Sequence, residues 1–586
     1  MCGIVGIIDK DFCNNQKSLK DIKIMTESIK HRGPDQIKID SCANGIHFGF
    51  VRLAMVDIEK SKQPIVNSQG NLFLYFNGEI YNYKKLRLKL ETNGYTFKTN
   101  GDGEVILALY ERERGNCLKH LDGMFAVCII NSYTNEIFIA RDKYGIKPLY
   151  YCVNNERILI SSELKAIKRI MQNSCEINEI GLELYLRMRF IPAPYTIFKN
   201  IYKVKAGESI LFKRDKLIKK DYHLYNEYYS FENRLDFEKI LYENIIETSK
   251  ADVPIGIFLS GGIDSGIIAS CLTKGNQIMN SFTVGYSEKE NCNEIVEAKY
   301  IANNLGIPNI SKCIYDNEIL TLINKAIYHL DEPLYSSVAV CSLKLAQIAS
   351  KFVKGILSGD GSDELVFGYK YLRNALLCRQ ENDLINQYIS GIGWLKYIDV
   401  KKIFLKSSLT DYDFKEILFD GCKMNNLTET LRRVEIFKRL PDYHFARVDR
   451  MTMAYGIEAR LPYLRDGFVN TMLSIDSDFF LKHLDPKYML KQNFKKILPE
   501  SYLSASKKPF TSPIKSWIER YLRNDIEDLF NNEKLINKIG LNKKCINDLW
   551  NNYKGEYWEV CNVWGIYILL KWFLLEFFDL RGCDLK

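Results

Sequence analysis

No two cysteines in this chain stand in a C-x-x-C spacing, and the seven histidines form no cluster with them. That excludes the usual zinc and dithiol frameworks. The sixteen cysteines are scattered and no leading signal segment precedes them, which fits reduced thiols and makes a cytoplasmic location the expectation. Blocks of lysine or arginine are missing as well. With 81 basic residues against 72 acidic ones the net charge is +9, an even distribution that excludes a chain built to track nucleic acid. Long uncharged apolar runs are also absent. The nearest, Cys561 to Phe578, is broken by Lys571 and Glu576, falls short of the roughly 20 residues a membrane span needs, and reads as a buried C-terminal helix.

What is present is 586 residues, 46% apolar and 26% charged, too many for one hydrophobic core. Two large domains are expected. Residues 2–205 read as short strands joined by turns: L-F-L-Y-F (72–76) runs into N-G, M-F-A-V-C-I-I (124–130) turns through S-Y-T-N into E-I-F-I-A-R, and P-L-Y-Y-C-V turns through N-N-E into R-I-L-I. Hairpins give antiparallel sheets, and Leu19–Lys30 and Glu104–Arg114 supply covering helices, an α+β layout. Residues 206–235, rich in Lys, Tyr and Asp with little periodicity, read as a connection. Residues 236–586 alternate apolar strands with helices, the pattern of a parallel sheet, and turn mainly helical from about 375.

In that second part V-P-I-G-I-F-L leaves through S-G-G-I-D-S (260–265). Ligands of an open parallel sheet sit beyond the strand ends, where the next helix offers free N–H groups. Gly261 and Gly262 would let the backbone wrap an anion, and Ser260 and Ser265 can donate to phosphate oxygens. No lysine follows the glycines, so this is not the loop of enzymes that transfer a terminal phosphoryl group. Asp264 stands there instead, either as a plain helix cap or as a group that reaches a nucleotide through Mg²⁺. A second turn, S-G-D-G-S-D-E (358–364), brings Ser358, two glycines, Asp360, Asp363 and Glu364 to the same sheet edge, a crowd of carboxylates that calls for a metal or another cation.

At the other end, removal of Met1 would leave Cys2 with a thiol and a free α-amine in one residue. An amine with a reference pKa of about 7.7–8.0 can take the thiol proton near neutrality, so no catalytic histidine is required. The companions are H-R-G-P-D (31–35), F-V-R-L-A-M-V-D (50–57), F-N-G-E-I-Y-N (76–82), G-D-G-E-V-I-L (101–107) and R-D-K-Y-G-I-K-P-L-Y-Y (141–151). Arg52 could pair a carboxylate, Glu79 and Asp102 could hold an ammonium, and Asn77 with the Gly78 N–H could stabilise an oxyanion. An α-amino acid amide satisfies them all.

With these motifs in this order, the chain resembles the glutamine-dependent asparagine synthetase family from Cys2 to at least Phe510. The resemblance implies an N-terminal-nucleophile sandwich acting as a class II glutaminase (2–205), a connection (206–235) and an α/β ATP-pyrophosphatase synthetase domain (236–586) with a mainly helical C-terminal part. It implies that Cys2 attacks the glutamine amide, that Asn77 and Gly78 form the oxyanion hole, and that Arg52, Glu79 and Asp102 hold the substrate. It assigns Phe258, Val284, Ser358 and Gly359 to ATP, Asp264 and Asp363 to Mg²⁺ and pyrophosphate, Asp360 to a proton from attacking ammonia, and Lys487 to charge at the α-phosphate.

H-L-D-E-P (329–333), V-D-R-M-T-M-A-Y-G-I-E-A-R-L-P-Y-L (448–464) and K-Y-M-L-K (487–491) match too. Plainer readings stand beside them: Glu458 and Arg460 as a structural ion pair, Asp331 as a turn cap, Lys487 as a solvated helix residue. The family has an aspartate after L-P-Y-L, whereas here Arg465 precedes Asp466, which raises an altered acceptor pocket and a sugar carboxylate in place of aspartate. A silent scaffold is the remaining alternative. The expected partners are the small molecules glutamine, ATP and aspartate or another carboxylate, with neither nucleic acid nor membrane, and a homodimer is the assembly open to such a chain. An interior passage for ammonia follows from the family.

Overall fold

The computed structural model describes residues 2–10, 15–43, 45–171, 175–213, 216–222, 237–286, 292–378, 380–395, 399–483, 485, 487–498 and 511–577. Its first lobe contains β1 (Cys2–Asp9), β2 (Gln36–Ala43), β3 (Ile46–Arg52), β4 (Ile65–Val66), β5 (Leu72–Ile80), β6 (Gly123–Asn131), β7 (Glu136–Arg141), β8 (Tyr150–Val153), β9 (Arg157–Ser161), β10 (Ile201–Lys203), β11 (Glu208–Lys213) and β12 (Lys216–Tyr222). They form two antiparallel sheets, ordered β10-β8-β9-β1-β3-β2 and β12-β11-β7-β6-β5-β4.

Side-chain alternation explains the layering. Ile4 and Ile8 of β1 join Phe48, Phe50, Tyr75 and Ile137 in a core between the sheets. Val5 and Ile7 face the other way, onto Ile22 and Met25 of a helix that spans Asn15–Ser28 and onto Ile29 just beyond it. The second sheet is backed in the same way by helices Tyr83–Thr92 and Gly103–Glu113. The result is helix, sheet, sheet, helix, the sandwich expected.

The second lobe holds β13 (Ile255–Phe258), β14 (Ser281–Gly285), β15 (Asn309–Cys313), β16 (Gly355–Leu357) and β17 (Glu458–Arg460), all parallel, in the order β15-β14-β13-β16-β17. Helices Ile263–Lys274 and Ile295–Leu305 follow β13 and β14, in keeping with the strand–helix alternation. β13 lies between β14 and β16, so the carboxyl ends of β13 and β16 open side by side. Helices dominate beyond, ending in Tyr557–Phe577, long and apolar enough to cross a membrane but largely buried against the lobe, with Lys571 paired to Asp525 at 2.7 Å.

Two expectations fail. Asn77-Gly78 is no turn, because β5 continues through it to Ile80 in register with β6 from Leu72↔Asn131 to Ile80↔Gly123. Nor are residues 208–222 a connection: β11 and β12 extend the second sheet, pairing β11 to β7. Residues 223–235 of the expected connection lie outside the described residues.

Candidate functional site

β1 starts at Cys2, opposite Arg52 of β3. The Cys2 nitrogen donates to Asn77 Oδ1 of β5 at 2.8 Å. In the uncut chain that nitrogen is an amide; without Met1 it is the α-amine. Asn77 is fully buried, and its Nδ2 has no partner, which leaves one donor open beside the thiol. Burial pushes the Cys2 thiol up, against the pull of the amino terminus, the Leu53 N–H and Arg52. At Gly78 a Cβ would come 2.0 Å from the Met124 carbonyl oxygen, so only glycine lets β5 run this close to β6.

The other predicted groups surround Cys2. Arg52 donates to the Ile58 carbonyl at 2.7 Å and the Asp57 carbonyl at 3.3 Å and meets no carboxylate among the described residues. Asp102 accepts the Ile80 N–H at 2.8 Å, and burial lifts its carboxyl to about 6. Burial lifts Glu79 further, to about 8, despite Arg460, whose Nη2 donates to Glu79 Oε2 at 3.1 Å.

Arg460 comes from the other lobe. Its Nε donates to Glu458 at 2.6 Å, so the pair is ionic as the plainer reading had it, yet it also closes the floor of the Cys2 site. Burial would raise Glu458, but the amino terminus and Arg460 hold it at about 2. The Arg460 carbonyl meanwhile accepts the Ser358 N–H at 3.0 Å, at the start of the second acidic turn.

That turn and S-G-G-I-D-S face one cavity of about 870 Å³, lined by Phe258, Ser260, Gly261, Gly262, Asp264 and Ser265, by Val284, and by Ser358, Gly359, Asp360, Asp363 and Lys487. Every residue predicted for this site is there. Ser260 Oγ meets Ser265 Oγ at 3.0 Å and accepts the Gly262 N–H at 3.1 Å. Asp264 is no cap; its Oδ1 accepts from Ser362 Oγ at 2.7 Å and Lys487 Nζ at 2.8 Å. Lys487 also reaches Asp363 at 2.6 Å and is 2% exposed. Burial would discharge it, but the two carboxylates raise it and keep it charged. The cation that the crowded turns require is therefore in place.

Sequence reasoning missed the opposite wall. Residues 435–445 wind as a π-helix around Pro441 and continue into helix Ala446–Met453, presenting Arg439, His444 and Arg447 to the cavity. Wide π turns recur at functional sites, but a proline inside this mixed charged and apolar stretch gives no sequence sign of one. Arg447 Nη2 holds Asp360 at 2.5 Å. Glu364 accepts from Tyr369 Oη at 2.6 Å, and burial followed by Asp363 lifts it to about 7.

Arg465 does not line the cavity. It bridges Asp122 of the first lobe at 2.6 Å and Glu247 at 2.7 Å, while Asp466 pairs with Lys143 and accepts from Tyr144 Oη at 2.9 Å. The departure from the family pattern is an inter-lobe contact. Asp331 ends helix Ile319–Leu330 as its C-cap, and its carboxylate also reaches across the same boundary: Oδ2 accepts the Leu164 N–H at 2.9 Å and Oδ1 pairs Lys165 at 2.6 Å. Between the lobes lies a small cavity of about 20 Å³, with Arg141, Tyr150 and Lys203 on one side and Ala446, Asp449 and Arg450 on the other. It has room for one water-sized molecule.

The profile described as a glutamine amidotransferase domain matches residues 1–223, and the one described as asparagine synthase matches residues 236–574. The glutamine-hydrolyzing asparagine synthetase 1 of Bacillus subtilis (strain 168) is 32% identical over 575 residues, covering 90% of each chain. The asparagine synthetase of Gallus gallus is 28% identical over 569 residues, covering 90% of this chain and 88% of its own. Among solved structures, the glutamine phosphoribosylpyrophosphate amidotransferase of B. subtilis is a remote likeness, 18% identical over 53% of this chain and 65% of that one, with a TM-score of 0.29.

Proposed function

The chain belongs to the glutamine-hydrolysing asparagine synthetase family, and on that footing we propose that it makes asparagine from aspartate through an acyl-adenylate, with ammonia cut from glutamine at Cys2. As a member it is an ATP-using enzyme of glutamine-dependent amide formation. In our reading residues 2–222 carry the glutaminase and 236–586 the synthetase.

The Cys2 sulfur attacks the amide carbon of glutamine after passing its proton to the α-amine. Asn77 Nδ2 and the Gly78 N–H take the developing oxyanion, Arg52 the substrate carboxylate, and Glu79 with Asp102 the ammonium. Ammonia leaves, and water frees glutamate from the thioester. In the cavity the β-carboxylate of aspartate attacks the α-phosphorus of ATP and pyrophosphate departs. Phe258 and Val284 would flank the adenine, and Ser260, Gly261, Gly262, Ser265, Ser358 and Gly359 would hold the phosphates. Lys487 offsets charge at the α-phosphate. Ammonia then attacks the acyl carbon, Asp360 takes its proton, and AMP leaves.

Asp264 and Asp363, two carboxylates converging on one ammonium, fit the one or two protein ligands that Mg²⁺ takes beside substrate phosphates, and they would hold the ion there through pyrophosphate. Its chemistry would be charge neutralisation of the leaving pyrophosphate. Ammonia would pass along the inter-lobe boundary at the small cavity. We also read the enzyme as cytoplasmic and as a candidate homodimer.

One observation carries the reading: both acidic turns meet on the buried Lys487 at the wall of a cavity large enough for nucleotide and acceptor. With Arg465 turned away from that cavity, the departure that raised a sugar acid has no bearing on the acceptor pocket. Purified protein given ATP, Mg²⁺, glutamine and aspartate should release asparagine, AMP and pyrophosphate. Release of ADP, or intact glutaminase activity without asparagine, would end the proposal.

A further inference from the structure

Asp57 holds a left-handed backbone conformation, with φ at +44°, a region that costs every residue but glycine and persists only where the surroundings enforce it. It closes the F-V-R-L-A-M-V-D motif, five residues beyond Arg52. The groups around it explain why the chain keeps it there. Its carbonyl accepts from Arg52 Nη2 at 3.3 Å and from the Ser61 N–H at 3.0 Å. Its Oδ2 accepts the Asn100 N–H at 2.7 Å and Ser61 Oγ at 3.2 Å. Its own N–H donates to Asp252 Oδ2 at 2.8 Å, from the second lobe, and the Asp252 N–H donates back to the Met55 carbonyl at 3.0 Å.

Arg52 and Asp102 reach the Cys2 site from separate segments, the end of β3 and the start of helix Gly103–Glu113. Asp57 bonds to Arg52 itself and to the segment that leads into Asp102. Gly101 presses on the same turn, since a Cβ there would come 2.1 Å from Ser61 Oγ. With Nη1 on the Ile58 carbonyl and Nη2 on the Asp57 carbonyl, Arg52 still keeps a second hydrogen on each nitrogen for a ligand. An α-amino acid carries its carboxylate and its ammonium on one carbon, so the groups that receive them must hold one separation.

We propose that Asp57 is the positioning residue that fixes this separation: its carbonyl turns the Arg52 fork toward the α-carboxylate of glutamine, its Oδ2 sets the Asn100–Asp102 segment for the α-ammonium, and Asp252 holds the strained turn from the other lobe. This rests on the glutamine reading of the Cys2 site. Asp57 touches neither the thiol nor the oxyanion donors, so its loss loosens substrate without slowing the chemistry.

The test measures glutamate release against glutamine concentration for the full chain, Asp57→Gly and Asp57→Asn. Glycine accepts the backbone conformation but offers no carboxylate, whereas asparagine tolerates the conformation and keeps an acceptor oxygen. Asp57→Gly should raise the KM for glutamine at least about 10-fold with kcat within about threefold. The Ki of L-glutamate, which has the same α-carbon groups and no amide, should rise in step. Asp57→Asn should stay within about threefold of wild type on both constants, and ammonium-driven synthesis should stay within about twofold in each variant. Melting temperature reports folding. If Asp57→Gly is unfolded, Asp252→Ala, which removes only the acceptor for the Asp57 N–H, should raise the KM at least about threefold at unchanged kcat.

An unchanged KM and glutamate Ki in Asp57→Gly, a joint fall of kcat and ammonium-driven synthesis, or an Asp57→Asn as impaired as the glycine variant overturns the inference while leaving Cys2 its glutaminase role. If wild type cuts glutamine but forms no asparagine, the aspartate reading falls and the inference stands. A wild type inert toward glutamine removes both.

Discussion

At Cys2 the proposed chemistry separates cleanly from everything else in the chain. Cys2→Ala should lose glutamine-driven synthesis by at least about 1,000-fold while keeping ammonium-driven synthesis within about twofold, because the second cavity has no part of the thiol. Paired assays with the two nitrogen sources check this, and glutamine-driven synthesis surviving in the variant would remove Cys2 as nucleophile. Glu79 supplies a pH signature. Its carboxyl, lifted to about 8 by burial, holds a proton at neutrality that a bound ammonium must displace. The KM for glutamine should therefore rise as pH falls through about 8, about 10-fold by pH 7, and a flat profile would contradict the assignment. Stability has the opposite lean: between about 4.5 and 8 the folded chain keeps a proton that the unfolded chain has lost, so this group favours folding less as pH rises through that window.

At the scale of strands and turns, the sequence was most legible where local pattern and tertiary role agree. Period-two runs, the helix Gly103–Glu113 and the two glycine turns at the ends of β13 and β16 fall where expected, because each is fixed by its own residues. Asn77-Gly78 was misleading for a physical reason. Its local preference for a turn is overridden by nine consecutive pairings of β5 with β6. K-L-I-K-K-D-Y reads as linker because an edge strand carries the same lysines that keep it from pairing further. Arg447 and His444 were invisible as site residues, since only the packing of the 435–453 helix brings them to the cavity.

The close run at Gly78 makes a prediction of its own. Gly78→Ala forces a Cβ to 2.0 Å from the Met124 oxygen and should lower stability by about 1–3 kcal/mol. Glutaminase activity should fall at least about 100-fold as the Asn77 end of β5 shifts. Thermal melting and a glutamate-release assay measure both, and an alanine variant with full activity would show that β5 is not held this tightly.

Over the whole molecule, the lobes share charges that neither could bury alone. Arg460 and Glu458 stand in the Cys2 site, Asp331 holds the Leu164 N–H, and Arg32 pairs Asp449 at 2.9 Å. Truncating one member of a buried pair costs about 3–5 kcal/mol. Residues 2–222 expressed alone should thus retain less than about 1% of the full chain's glutaminase kcat/KM, because Glu79 loses its guanidinium. A fully active first lobe would refute that dependence.

Arg460 gives one residue a hand in each chemistry, its side chain on Glu79 and its carbonyl on the Ser358 N–H. A small molecule wedged at that strand would need no likeness to glutamine or to nucleotide. By prying a single arginine loose it would poison nitrogen release and carboxylate activation together, and an escape substitution at either pocket's rim would not restore the enzyme.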